Sequence, residues 1–187
     1  MKNLKTAKLT RLALLIAITV ILAATPLGYI PAGPLSFTIM VLPVAVGGVL
    51  MGPSAGLILG LAFGITSLMK APSEAFGQLV INYSGLFTVV ICVLPRVIVG
   101  GFAGFMHKFA SLKDKKSPLL FALCGGGCSA INTILFVGLA YLFCGKLVEG
   151  AFGVAIWSSL LIGGVVEMVA NAFLTMAVCQ PLKKFFQ

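Results

Sequence analysis

Residues 86–106 read LFTVVICVLPRVIVGGFAGFM, an apolar run in which Arg96 is the lone charge. A hydrocarbon core about 30 Å thick is crossed by about 20 helical residues, so this run has the length and composition of a transmembrane helix. The rest of the chain has the same character. Of its 187 residues, 60% are hydrophobic and 9% charged, and the mean hydropathy is +1.15, whereas a soluble domain carries roughly 25% charged residues. With 13 Lys and Arg and 4 Asp and Glu, the chain cannot clothe a water-facing shell. Soluble enzymes and nucleic-acid binders are thereby set aside, and the reading is an all-α integral membrane protein.

Working outward from 86–106, the same ruler gives six crossings in one bundle over residues 1–187: about 8–25, 37–51, 54–69, 86–106, 119–143 and 152–182. Pro26 ends the first and Gly52-Pro53 ends the second, because proline cannot continue a helix's hydrogen bonding. Asn82, Tyr83, Ser84 and Gly85 argue for a re-entrant or capping loop before the fourth. The basic N-terminus and the apolar run behind it read as a retained first helix rather than a cleaved signal. Lys2, Lys5, Lys8 and Arg11 precede the first crossing, Lys108, Lys113, Lys115 and Lys116 separate the fourth from the fifth, and Lys183 and Lys184 follow the sixth. These positions share one side, while Lys70 and Lys146 on the other are balanced by Glu74 and Glu149. The positive-inside rule then places both termini in the cytoplasm.

Small residues recur at four-residue spacing: Ala13 and Ala17, Gly56, Gly60 and Gly64, Gly100 and Gly104. Such faces permit close helix approach, either inside one bundle or against another subunit. No internal repeat is visible, which weighs against inverted-repeat transporters. The five cysteines have no convergent ligands beyond the single histidine, His107, so they read as buried thiols and no metal is expected.

Inside a bilayer an ionisable group costs roughly 2.5–3.5 kcal/mol on insertion scales, so Arg96 and Glu167 call for a partner, a ligand or a wet cavity. Their depths match at about 1.5 Å per residue, and two readings stand: a buried pair joining the fourth and sixth crossings, or an Arg96 that holds an anionic ligand. Asn171 follows Glu167 by four residues and shares its face, with Trp157 on a neighbouring face. Asn132 on the fifth crossing and Asn82 and Tyr83 before the fourth are candidates for the same outward cavity, with Tyr29 and Phe76 as covers from the loops. No catalytic constellation is present: an intramembrane protease needs Ser with His or paired Asp, and here Asp114 is the sole aspartate. No phosphate-binding Gly-Lys-Ser/Thr loop occurs either, so ATP-driven work falls to other subunits. No cofactor is expected.

Four stretches taken in order, TRLALLIAITVIL, YIPAGPLSFTIMVLPVAVGGVLMGP, GLILGLAFGITSL and CVLPRVIVGGFAGFMHK, resemble the substrate-binding (S) components of energy-coupling factor (ECF) transporters, a vitamin-uptake class of ABC transporter. The resemblance covers nearly the whole chain. It implies a six-helix protein that binds a small water-soluble vitamin at its outward end and topples against a transmembrane coupling subunit driven by two cytoplasmic ATPases. It implies that Ala13 and Ala17 form the Ala-x-x-x-Ala docking face. It places ligand contacts in the first loop, the loop from Lys70 to Gly85, which would act as a lid, and the fourth to sixth crossings. FGITSL and VLPRVIVGG look most like pantothenate carriers, with folate, riboflavin and cobalamin as alternatives. A reading from another class is a stand-alone proton- or sodium-coupled carrier, in which Glu167 titrates during transport. A scaffold with no small ligand would leave Arg96 and Glu167 purely structural.

Overall fold

The computed structural model of the chain describes residues 2–26, 28–32, 35–112 and 118–182. Lys113, Lys115, Lys116, Lys183 and Lys184, used above for orientation, lie outside them, as does the side chain of Tyr29. The elements in order are α1 (Lys2–Ala24), strands β1 (Tyr29–Ala32) and β2 (Leu35–Thr38), α2 (Val41–Met51), α3 (Pro53–Lys70), a 3-10 turn (Ala71–Ser73), α4 (Ala75–Tyr83), α5 (Gly85–Leu112), α6 (Pro118–Phe152) and α7 (Ile156–Leu182). Among the described residues five helices, α1, α3, α5, α6 and α7, are long and apolar enough to cross a membrane.

Three elements differ from the expected bounds. The second crossing is an 11-residue helix, about 16 Å long and half of what a bilayer needs, preceded by an antiparallel hairpin that pairs Tyr29 with Thr38 and Ala32 with Leu35. Helix formation fails there because Pro31 removes a backbone N–H and pushes Ile30 toward the extended conformation it has in β1. The stretch before the fourth crossing is a helix rather than an extended loop: Phe76, Gly77 and Val80 are the buried face of α4. The break falls at Ser84, whose backbone is extended at φ −165° and ψ 119° and whose Oγ accepts from the Phe87 N–H at 3.4 Å to start α5. The fifth crossing also continues nine residues beyond its expected end, to Phe152, because Cys144 and Val148 are buried against the α4 cluster.

All of α2 except Leu42 is buried, in a cluster that draws in Leu59 and Phe63 of α3, Val99 and Ala103 of α5, and Phe121 and Cys124 of α6. A helix too short to span leaves its ends at membrane depth, which is tolerated when protein surrounds them, and α2 meets that condition. Its C-terminus turns into α3 at Gly52, φ +98°, a conformation only glycine adopts without strain. There His107 Nδ1 lies 2.8 Å from the Val49 carbonyl, one of the carbonyls a helix end leaves without a partner.

The glycine stripes serve packing inside the bundle. A Cβ at Gly56 would strike the Gly100 carbonyl, one at Gly60 the Arg96 carbonyl, and one at Gly104 the Pro53 backbone. Helices α3 and α5 therefore run antiparallel in backbone contact. The five cysteines are buried, and Cys128 Sγ lies 3.8 Å from the Val99 carbonyl, as expected of small apolar side chains with a weak donor.

Candidate functional site

At the end of the bundle where α3 finishes and α5 begins lies a cavity of about 150 Å³, counted as the space open to the centre of a water molecule. A single water needs about 10–15 Å³ by that measure, so the space admits a small organic molecule. The C-terminal turn of α3 contributes Ser67 and Lys70, and the 3-10 turn and α4 contribute Glu74, Phe76 and Val80. Thr88, Ile91 and Arg96 enter from α5, Asn132, Thr133 and Phe136 from α6, and Ser159, Gly163, Gly164 and Glu167 from α7, with Thr38 closing from β2.

Arg96 is 7% exposed. Its Nη1 donates to the Ile91 carbonyl at 2.9 Å, and its guanidinium carbon lies 5.3 Å from the Phe63 ring centre and 5.1 Å from that of Phe136. Those distances are within the range of cation–π attraction. The cation thus sits between two aromatic rings on the cavity wall, in surroundings where an anion would be bound far more strongly than in water.

Glu167 faces the same cavity, and its Oε1 accepts from the Thr38 N–H at 2.6 Å. One turn on, Asn171 Nδ2 donates to the Thr38 carbonyl at 3.4 Å and to Ser129 Oγ at 2.8 Å. Both backbone groups of Thr38 are therefore held by α7, which ties the hairpin to the cavity. Buried acceptors remain on two wall residues: Glu74 Oε1 and Asn132 Oδ1 have no hydrogen-bond partner among the described residues.

Of the residues singled out from sequence, the fold brings Phe76, Arg96, Asn132 and Glu167 together at the cavity. Asn171 lies behind the wall, 1% exposed. Asn82 and Tyr83 end α4 and are exposed, and Trp157 reaches away, donating from Nε1 to Glu149 Oε1 at 2.9 Å and meeting Tyr141 edge-on at 5.2 Å. Sequence reasoning missed Thr38, Ser67, Lys70, Glu74 and Thr133 as wall residues. In the sequence Lys70 and Glu74 are balancing charges at the start of a loop to which the resemblance gives ligand contacts without singling either out, and their four-residue spacing at a helix end is the available signal. Ala13 and Ala17 are exposed on α1, far from this cavity in sequence and on a helix with little of its surface covered.

A family model described as ECF transporter, substrate-specific component, matches residues 7–179. The chain is also similar to a pantothenic acid transporter, PanT, of Lactococcus lactis subsp. cremoris strain MG1363, with 26% identity covering 98% of this chain and 97% of that protein.

Proposed function

Because this chain belongs to the substrate-specific components of ECF transporters, a family of multi-pass transport subunits rather than of enzymes, we propose that it captures pantothenate at the outer face of a prokaryotic cell membrane. Delivery then requires a transmembrane coupling subunit and two cytoplasmic ATPases. The observation that carries the ligand is Arg96, a buried guanidinium on the wall of a cavity that admits a small organic molecule. A carboxylate arriving there gains a charge-assisted partner.

Pantothenate joins one carboxylate to an amide N–H and two hydroxyls, and the buried acceptors of Glu74 and Asn132 match such donors. Riboflavin has no carboxylate for Arg96, folate brings two with a large heterocycle, and cobalamin exceeds a cavity of this size. The lactococcal relative supports the same choice.

Topology fits this direction of capture. With the Lys8, Arg11 and Lys108 ends inside, both termini are cytoplasmic, the cavity opens outward, and β2 with α2 takes the sixth place in the bundle: four strand residues and 11 helical ones together extend about 30 Å. Ala13 and Ala17, one turn apart and exposed on α1, form the face for the coupling subunit.

Two measurements test this reading. Mass spectrometry of small molecules released from the purified protein, against an unrelated membrane protein, is expected to find pantothenate enriched; enrichment of another vitamin overturns the ligand. Replacing Ala13 and Ala17 with leucine is expected to leave binding intact and abolish uptake by the assembled transporter, whereas unchanged uptake points to a stand-alone carrier.

A further inference from the structure

In an α-helix the carbonyl of each residue accepts from the N–H four positions on. For Ile91 that position is Pro95, which lies inside α5 and has no N–H to give. Ile91 is 1% exposed, at a depth where no bulk solvent replaces the lost donor, so its carbonyl needs another. The donor it meets is Nη1 of Arg96, at 2.9 Å. A guanidinium is planar with donors in fixed directions, so holding one nitrogen on the helix's own backbone restricts the plane of the whole group, and its carbon lies over the Phe63 and Phe136 rings.

We propose that Pro95 is the positioning residue of the anion site: by withholding its N–H it creates the backbone acceptor that tethers Arg96 and turns the guanidinium toward the cavity. The inference rests on the reading above that the ligand is an acid. It separates two roles proline has in membrane helices, since a proline kept only for a bend would influence every ligand alike. Here it acts through one carbonyl on one cation.

The test is Pro95→Ala in the full-length protein. Alanine restores the N–H, gives Ile91 its intrahelical partner and favours the helix, so the variant is expected to fold with an unfolding temperature equal to or above wild type. Affinity for pantothenate is expected to fall about tenfold, the size of one charge-assisted hydrogen bond's positioning, while affinity for the corresponding alcohol changes less than twofold. In an Arg96→Gln background, Pro95→Ala is expected to leave the acid-to-alcohol preference unchanged. Equal losses for acid and alcohol, no loss for either, or a further loss of preference on top of Arg96→Gln overturns the proposal.

A second readout needs no ligand. The chain has two arginines, Arg11 and Arg96, so nitrogen-15 labelling of arginine with Arg11→Lys as the assignment control isolates the Arg96 signals. Rotation about its Cζ–Nη1 bond slower in wild type than in Pro95→Ala is the expected result, and equal rates in both overturn the tether. A hindered wild-type signal in a protein that binds neither the acid nor the alcohol would sink the pantothenate reading while leaving the tether in place.

Discussion

Around α2 the bundle is filled, and around the start of α5 it is hollow. In the filled half Val41, Val44, Val49, Leu59 and Phe63 are fully buried, and α3 meets α5 through glycines whose backbones touch. In the hollow half the cavity is lined by two cations, Lys70 and Arg96, and two carboxylates, Glu74 and Glu167. Arg96 sits where the two regimes meet: its carbonyl is pressed by Gly60 on α3, while its side chain faces the cavity. Close backbone packing on one side thus supplies a rigid base for a binding site on the other, and rigidity is what a preorganised charge needs to discriminate between ligands.

The contrast is broken most severely at the glycine seam. A Cβ at Gly100 would run into the Gly56 backbone, whereas nothing lies within 4 Å of one at Gly138 on α6. Gly100→Ala is expected to cost about 3 kcal/mol, the upper end of overpacking, and Gly138→Ala to stabilise its helix by about 0.5–1 kcal/mol; thermal unfolding of the two variants in one detergent compares them. Next in size is the cavity's own charge. Arg96→Gln is expected to weaken pantothenate by about 2 kcal/mol, roughly 30-fold, and the alcohol analogue less than threefold, measured by equilibrium binding. Equal loss for both would place Arg96 in the scaffold with the glycines.

Smaller effects sharpen the boundary between wall and surroundings. Glu167→Ala removes the acceptor of the Thr38 N–H, and hydrogen exchange across residues 35–40 is expected to accelerate roughly tenfold or more, since bonds to charged groups contribute about 1.5–3 kcal/mol. Unchanged exchange would show that Asn171 alone holds the hairpin. Trp157→Phe is expected to do least. It deletes the donor to Glu149 at about 1 kcal/mol of stability and, standing outside the cavity, leaves pantothenate affinity within twofold.

The filled half was the more legible of the two in the sequence. Apolar runs bounded by Gly52-Pro53 and Ser84-Gly85 locate α3 and α5, and four-residue glycine spacing anticipates their seam, because both signals are local. Arg96 and Glu167 were legible for the same reason: a charge inside an apolar run is conspicuous wherever the run folds. The cavity's other walls depend on which distant segments meet. Lys70 and Glu74 look like loop charges until the 3-10 turn folds them inward, and nothing local to Asn82 and Tyr83 tells that they end α4 exposed, just before the break at Ser84. The hairpin escaped because its apolar residues continue those of α2 without a change in composition. Only Pro31, Gly33 and Pro34 mark it, and proline and glycine also mark ordinary loops.

The most direct test of an acidic-vitamin site built on Arg96 is calorimetric titration of the purified wild-type protein with pantothenate, riboflavin and folate in turn. The account predicts saturable one-to-one binding of pantothenate and none of the other two; saturable binding of riboflavin, which offers Arg96 no carboxylate, or no binding of pantothenate, would contradict it.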